Sequence, residues 1–279
     1  MSDPDRRLEG RELARRLEAH AASAMALLAP GSAPIASGLA SFGGVGSYLN
    51  KACGFTPDHR FAEEDVAAIE GFFTSRGVEP RVELSPYVDP GAWALFAARG
   101  FVLLELETRL ARALPPDEDL RARLAHGWPE GLVVERIDRA DREAIERYAQ
   151  ASASGFVEPG APITEPLLAF ARTAAARPSF DGFIAQLDGR TVGGGAGDSR
   201  EGIVALVGAS VAHDARGRGV QQALMVARME RGRARGATLA TVTSAPGIGT
   251  ERNALRLGFR VAYTLVVLVK RAPGLAASV

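Results

Sequence analysis

Two arginines and two glycines alternate at residues 216–219, after a strand-like stretch and before a run of periodic apolar residues. That run predicts a helix, and the first turn of a helix carries unpaired backbone N–H groups and about half a positive charge. Glycine lets the backbone approach a ligand closely, and successive amides then form a concave site for anionic oxygens. The chemistry predicted by this spacing is the binding of a pyrophosphate.

A solvated basic loop is the alternative interpretation of the same four residues, and it is the more common one for an isolated Arg-Gly-Arg-Gly sequence. Between Arg216 and Arg235 there are six arginines and one glutamate, which adds attraction for a polyanion. The order strand, loop, helix is the arrangement that binds phosphate groups in proteins. This context favours the anion site over the solvated loop.

Other patterns that suggest chemistry carry weaker signals. The glycine-rich stretch 193–197 lacks the Lys-Ser/Thr that follows in nucleotide-binding loops, and it predicts a bulge or close backbone packing. Cys53 is the only cysteine, which excludes an intrachain disulfide framework and a cysteine-based zinc site. The histidines show no metal-ligand spacing, so we expect no metal; they are His20, His59, His126 and His213.

The bulk composition of the 279-residue chain narrows the class of protein. Lys+Arg and Asp+Glu are equal at 33 each, so no net charge favours nucleic acid or an anionic membrane as a partner. The hydrophobic fraction of 47% is sufficient for a core. Residues 261–269 form the longest apolar run, too short for a bilayer, which needs roughly 20 residues. We expect a cytoplasmic protein without nucleic-acid or membrane partners.

The elements before residue 114 alternate between helices and strands. In chain order, the pattern predicts a helix over 6–28, strand-like stretches over 35–42 and 47–55, a helix over 62–76, a strand over 81–85, a helix from 90 to 100 and a strand over 101–110. Asp89 is the expected N-cap of the helix that starts at Pro90.

The second half follows a similar order. It is predicted to contain a strand over 131–137, helices over 138–151 and 164–176, a hairpin over 182–197, a strand over 202–211, a helix ending near 235, a strand over 237–244, a short helix over 250–257 and a strand over 259–269. Asp188-Gly189 is the favoured pair for a two-residue hairpin turn. The stretch after Phe259 is short for two strands, which predicts that the other copy completes the sheet.

The two halves also share the spacing between a pair of glycines. The glycines of "SRG" (75–77) and "AARGF" (97–101) are 23 residues apart, and those of "ARG" (234–236) and "RLGF" (256–259) are 22 apart. We therefore predict two copies of one α+β unit. The proline- and charge-rich residues 114–130 are the expected linker between domains 1–113 and 131–279.

Over residues 131–271 the chain resembles the GNAT superfamily of N-acetyltransferases. Their signature, Gln/Arg-x-x-Gly-x-Gly/Ala after the fourth strand, is matched by residues 216–221, except that Gln221 stands where Gly or Ala is usual. The resemblance implies two tandem acyl-CoA N-acyltransferase-like units, each a mixed, mostly antiparallel sheet flanked by helices. It also implies acetyl-CoA as co-substrate, with its pantetheine arm paired to the fourth strand and its thioester admitted by a splay beside residues 237–244.

By this resemblance, the coenzyme-binding residues are Ala209, Ser210, Val211, Arg216, Gly217, Arg218, Gly219, Val220, Gln221, Gln222 and Asn253. The first copy has acidic residues 63–65 at the corresponding helix start, where they suit the helix dipole but repel a pyrophosphate. We expect the first copy to bind no coenzyme and to act as a scaffold beside the acceptor pocket.

The implied reaction is direct attack of an amine on the acetyl-CoA carbonyl. An amine with a pKa near 10.4 is about 0.04% neutral at pH 7, which costs about 4–5 kcal/mol of barrier, so a base helps. Glu158 is the candidate base, with a solvated loop glutamate as the alternative. Tyr263 is a second candidate for a polar contact, with a core or rim tyrosine as the alternative. Ala254 occupies the register where many relatives carry a tyrosine acid, a loss of about 100-fold that a thiolate leaving group tolerates.

The leading hypothesis is an N-acetyltransferase acting on an amine of a small molecule or peptide, as a monomer or homodimer. A non-catalytic acyl-CoA sensor or interaction module is the alternative, favoured by Ala254 and by the absence of an obvious base. A nucleic-acid-binding protein is disfavoured by the neutral net charge and the aromatic content of 6%.

Overall fold

The structure, a computed structural model, describes residues 10–158 and 160–277. The chain divides into two compact units: unit 1 contains residues 1–109 and 261–279, and unit 2 contains residues 110–260. Each unit therefore combines chain from both halves of the sequence.

The described residues form seven α-helices and eleven strands. The helices are α1 (Gly10–Leu28), α2 (Glu63–Thr74), α3 (Gly91–Ala98), α4 (Arg142–Ala153), α5 (Glu165–Ala175), α6 (Val220–Ala234) and α7 (Gly249–Arg256). The strands are β1 (Gly31–Ile35), β2 (Gly38–Phe42), β3 (Lys51–Cys53), β4 (Arg81–Leu84), β5 (Val102–Ala113), β6 (Leu132–Arg136), β7 (Phe180–Leu187), β8 (Arg190–Arg200), β9 (Ile203–Val211), β10 (Leu239–Ser244) and β11 (Arg260–Val269).

In unit 1 the strand order is β1-β2-β3-β4-β11, followed by the part of β5 that ends at Arg109. β3 and β4 are parallel, whereas β4 and β11 are antiparallel, with Val267 opposite Glu83. The apolar faces of α2 and α3 cover one side of the sheet with buried residues such as Ile69, Phe73 and Phe96.

In unit 2 the last residues of β5 are followed by β10, β9, β8, β7 and β6. β9 and β10 are parallel, and β6 to β9 form an antiparallel meander. A Cβ added at Gly194 would contact α4 and one added at Gly195 would contact α6. Because neighbouring strand residues face opposite sides, α4 and α6 cover opposite faces of this sheet.

The last strand of the sequence belongs to unit 1, and residues 110–113 of the first half belong to unit 2. In unit 2, the Thr241 Oγ1 hydroxyl donates to the Leu110 carbonyl at 2.9 Å. This arrangement agrees with the prediction that the sheet after Phe259 is completed by the other copy.

The predicted linker 114–130 lies within unit 2, where Leu114, Leu120 and Leu124 are buried in the core beside α6 and α7. The two compact units are regions that pack internally, whereas the predicted domains 1–113 and 131–279 are the two copies of a sequence repeat. The two divisions of the chain therefore need not coincide. The boundaries of the repeat stay a prediction.

Most predicted elements are present, and the differences have local causes. The stretch 35–42 contains parts of two strands, because Ala36 has a φ of +54° and turns the chain between β1 and β2. α4 begins four residues later than expected, since the Asp141 carboxylate accepts from the N–H groups of Glu143 and Ala144 and so caps the helix. The hairpin turn is confirmed, with Asp188 at +52° and Gly189 at +79°.

No helix in the described ranges combines the length and the apolar character needed to cross a membrane.

Candidate active site

The arginine–glycine loop, residues 216–219, joins β9 to α6 after a short turn at His213–Ala215. Gly217 and Gly219 have φ angles of +76° and +78°, a conformation in which other residues are strained. A Cβ at Gly217 would have no heavy atom within 4 Å. Both glycines therefore serve the backbone conformation, and Gly217 leaves open space beside the loop, whereas a Cβ at Gly219 would lie 3.1 Å from Pro129 Cγ.

The backbone N–H groups of residues 217–222 have no acceptor within the part of the chain that the structure describes. The first protein bond at this helix start comes one residue later, from the Ala223 N–H to the Gly219 carbonyl. The first turn of α6 also contains no acidic residue. Consecutive amides without a protein acceptor, at the positive end of the helix dipole, are suited to bind an anion.

The two arginines of the loop contact the protein on either side of it. The Arg216 guanidinium donates to the carbonyls of Val211 at 3.3 Å and Gly155 at 3.0 Å. Arg218 lies 3.6 Å from the Asp188 carboxylate, and both side chains are more than half exposed. The guanidinium groups of Arg216 and Arg218 therefore both lie beside the loop. Their contact with a diphosphate is a prediction.

Gln221 departs from the usual Gly or Ala, and its side chain is held away from the helix start by α7. Its amide nitrogen donates to Thr250 Oγ1 at 2.8 Å, and its carbonyl oxygen accepts from Asn253 at 2.6 Å. Gln222 donates in turn to Asn253 Oδ1 at 3.0 Å. The structure thus brings Gln221, Gln222 and Asn253 together, and Val220 is buried behind them.

β9 and β10 separate along their length. Paired residues extend only from Leu239 opposite Ile203 to Thr241 opposite Ala205, although β9 continues to Val211 and β10 to Ser244. The remaining edge of β9 is therefore unpaired on its β10 side. This opening lies at the end of β9 that leads into the arginine–glycine loop.

A β-bulge interrupts β9 within the separated stretch. Gly194 pairs with Ser210 and Ala196 pairs with Val207, so Gly195 faces both Gly208 and Ala209. Gly208 has a φ of +53°. Such bulges locally bend a strand and redirect its backbone groups, and they are over-represented next to active sites.

The segment after α4 packs on the end of β9. The Gly155 N–H donates to Ser210 Oγ at 2.9 Å, and His213 Nε2 lies 3.1 Å from the Val157 carbonyl oxygen. Glu158 follows as an exposed residue, and no side-chain hydrogen bond or ion pair within the described ranges involves it. Its carboxylate is available to an incoming group.

Tyr263, the other predicted catalytic residue, belongs to unit 1. It is buried, and its hydroxyl donates to Glu18 Oε1 at 2.7 Å. Burial and the neighbouring Glu18 carboxylate raise the pKa of the Tyr263 phenol, and burial raises the pKa of Glu18. Within unit 1 its proton is therefore committed to this bond.

The corresponding positions of unit 1 differ from those of unit 2. Asp65 accepts from the Ala62 N–H at 3.0 Å and so occupies the start of α2. The parallel strands β3 and β4 share one paired position, and phenylalanine rings pack beyond β3, with Phe55–Phe61 and Phe61–Phe96 centroids 4.9 and 5.2 Å apart. In unit 1, side chains therefore lie at the start of α2 and beyond the end of β3.

No group of three His, Cys, Asp or Glu side chains in the described parts of the chain is placed to hold a metal ion.

No family model matches the chain, and no curated protein matches its sequence. Solved structures do match. They include a GCN5-related N-acetyltransferase from Kribbella flavida (TM-score 0.64, 18% identity, 93% of this chain and 96% of that one), a tandem GNAT protein from the clavulanic acid biosynthesis pathway (0.59, 15%, 96% and 95%) and a GCN5-related N-acetyltransferase from Sphaerobacter thermophilus (0.55, 21%, 77% and 69%). The predicted α+β fold with two tandem acyltransferase-like units is confirmed.

Proposed function

We propose that unit 2 is an acetyl-CoA-dependent N-acetyltransferase that acetylates an amine of a small molecule or peptide. The observation that carries this proposal is the row of N–H groups at residues 217–222, which have no acceptor in the described structure and lie at the open end of a separated strand pair. A diphosphate supplies the acceptors for such a row.

The residues around the loop fit a coenzyme diphosphate. Gly217 leaves open space, Gln221 is turned toward α7, and Arg216 and Arg218 add positive charge beside the amides. The unpaired edge of β9 at Ala209, Ser210 and Val211 offers backbone groups to the amides of a pantetheine arm. These features support the assignment of the coenzyme-binding residues made from the sequence.

When bound, acetyl-CoA supplies an activated thioester carbonyl. The protein's part is to orient that carbonyl along β9 and to receive a proton from the attacking amine. We propose Glu158 as the proton acceptor, because its carboxylate is exposed and free of protein partners in the described structure, on the segment that packs against Ser210. Tyr263, the second residue predicted from the sequence, stays a prediction, and its hydroxyl is bonded to Glu18 within unit 1.

The absence of a tyrosine acid at position 254 does not oppose this mechanism. Ala254 is fully buried in the core beside α6, so no proton donor acts from that register. A thiol with a pKa near 8.5 leaves as a thiolate with little assistance.

For unit 1 we propose a scaffold that binds no coenzyme. This is supported by Asp65 at the start of α2 and by the phenylalanine rings beyond β3. A wild-type stoichiometry of two coenzymes per chain in calorimetry would contradict it.

The proposal is tested by titrating the protein with acetyl-CoA and by measuring thiol release across a panel of amines. We expect saturable binding of one equivalent and release with at least one amine. Binding without release for any amine would support the alternative, a non-catalytic acyl-CoA sensor. Absence of binding would overturn both.

Gly217→Ala and Gly236→Ala form a matched pair for the loop. Both glycines have a positive φ, +76° and +86°, both have open space around a Cβ, and they lie beyond opposite ends of α6. The backbone strain of the two variants is therefore alike. We expect Gly217→Ala to weaken acetyl-CoA binding by about tenfold or more through displaced amides, with Gly236→Ala near wild type. Equal affinities of the two variants would contradict the site.

A further inference from the structure

Arg228 is a buried cation on α6, with 1% of its surface exposed. Within the described residues no carboxylate forms a salt bridge with it. Burial lowers the pKa of Arg228 to about 10, which leaves the guanidinium charged at neutral pH. A buried charge is costly unless hydrogen bonds compensate it, so the contacts of this side chain must do so.

Those contacts are made with backbone carbonyls of α6 and of the strand pair that borders the bulge on one side. Nε donates to the Leu224 carbonyl at 2.9 Å, one turn back along α6. Nη1 lies 3.3 Å from the Ala196 carbonyl oxygen and 3.5 Å from that of Val207. Ala196 and Val207 are the paired residues that border the bulge. The guanidinium thus joins β8 and β9 where their ladder is interrupted.

The glycine-rich stretch 193–197 makes room for this side chain. A Cβ at Gly195 would lie 3.2 Å from Arg228 Nη1 and 2.7 Å from the Ala209 Cβ, and one at Gly197 would lie 3.6 Å from the Arg228 Cβ. Within the stretch that resembles a phosphate loop in the sequence, Gly195 and Gly197 instead leave room for Arg228 beside the bulge.

The opposite face of the bulge is also packed. A Cβ at Gly208 would lie 3.8 Å from Phe170 Cε1 and 4.0 Å from the Tyr148 hydroxyl oxygen. Tyr148 is buried on α4. Residues 208 and 209 are therefore held between α4 and α6.

We propose that Arg228 is a positioning residue for the coenzyme site: it fixes the bulge so that residues 208–211 present their backbone groups to the pantetheine arm and thioester. This rests on the proposed function of unit 2. Arg228 itself lies behind the strand and touches no reacting atom.

A purely structural role for Arg228 predicts lower folding stability in Arg228→Met, because the carbonyls of Ala196 and Val207 lose their donor, and no change in the acetyl-CoA Kd. A positioning role predicts a raised Kd as well. A flexible methionine can fill the same space without binding the two carbonyls. A structural role and a positioning role therefore predict different results for Arg228→Met.

The experiment compares Arg228→Met, Arg228→Lys and the control Arg231→Met. Arg231 lies on the same helix and binds Asp181 at 3.1 Å instead of the bulge. Calorimetry measures the affinity for acetyl-CoA. Amide hydrogen exchange in β8 and β9 measures how well the backbone at the bulge is protected.

We expect Arg228→Met to raise the acetyl-CoA Kd by about tenfold or more, since charged hydrogen bonds to the bulge are lost. Arg228→Lys should recover part of the affinity, and Arg231→Met should stay within about twofold of wild type. Exchange at residues 207–210 should accelerate in Arg228→Met and not in the control.

If the wild type binds acetyl-CoA and folded Arg228→Met binds it with the same Kd, the inference is overturned. If Arg228→Met does not fold, the Kd and the exchange of Arg228→Lys decide it in the same way. If the wild type does not bind acetyl-CoA, the proposed function fails, and unchanged exchange at residues 207–210 in the variants would separately overturn the positioning of the bulge.

Discussion

Gln221 shows how one departure from a family signature is accommodated. A side chain longer than the usual Gly or Ala would reach over the helix start, but hydrogen bonds to Thr250 and Asn253 hold it against α7. The sequence identified the departure and the three residues Gln221, Gln222 and Asn253, but not their mutual contacts. Such contacts depend on how two helices separated by a strand pack, which no local pattern encodes.

Arg228 is the residue that sequence reasoning missed. The sequence pattern groups it among the six arginines expected to attract a polyanion, because an arginine on a helix is usually solvated. A signal was present in the spacing, since Arg228 falls four residues after Leu224 on the buried face of α6. A charged residue on that face, together with a glycine-rich strand, indicates a buried cation.

Glu158→Gln tests the proposed proton acceptor. We expect kcat/KM to fall by about 100-fold because the amine loses its base, with the acetyl-CoA Kd unchanged. Steady-state kinetics and calorimetry measure the two quantities. The exposed Glu135 on β6 gives the control variant Glu135→Gln. Equal kinetics in both variants would remove Glu158 from the mechanism.

Asp181 is the buried carboxylate of a cluster with three arginines. Its oxygens lie 3.3, 3.1 and 3.0 Å from Arg136, Arg231 and Arg235, and its side chain is 1% exposed. Asp181→Asn should lower the free energy of unfolding by about 2–3 kcal/mol, since bonds to charged groups are lost. Urea unfolding measures this, with the exposed Asp117→Asn as control. A loss no larger than that of the control would contradict the role of the cluster.

The helices and strands of both units were largely predictable from periodicity and turn residues. Hydrophobic alternation indicates which face of a strand is buried, but it does not reveal a register shift. The position of the bulge at Gly208 therefore came only from the structure, whereas the separation of β9 from β10 was already implied by the resemblance. The predicted start of α4 is four residues too early because two aspartates, Asp138 and Asp141, both suit a helix cap, and Asp141 is the one that caps it.

The ion pairs between α4 and α5 should make stability depend on pH. Glu146 receives two bonds from Arg172, at 2.7 and 3.1 Å, and one from Gln150, and these lower the pKa of its carboxyl from 4.5 to about 2. A lowered pKa stabilises the folded state above pH 4.5, and this contribution disappears as the pH falls toward 2.

We therefore expect Glu146→Gln to be less stable than wild type at pH 7, with the difference shrinking between pH 4.5 and 2. Urea unfolding across that range measures it, and Glu143→Gln, exposed on the same helix, is the control. A difference that is the same at pH 3 and pH 7 would contradict the assigned pKa.

At the scale of the whole chain, the exchange of strands gives a test of the two units. Removing residues 261–279 deletes the part of β11 that pairs with β4 in unit 1. We expect the amides of β4 to lose their protection from hydrogen exchange, because their partners and the buried side chains Leu265 and Val267 are gone.

The amides of β7 and β8 in unit 2 serve as the internal control for that variant, since their partners are retained. Protection of β4 equal to that in the full chain would contradict the division into units.

The exchange of strands also bears on whether either half of the chain could stand alone. Deletion of either half would remove part of the sheet of the remaining unit and leave an unpaired strand edge. Such an edge invites pairing with other chains and aggregation. The half without the glycine loop therefore contributes to the folded chain whether or not it takes part in any chemistry.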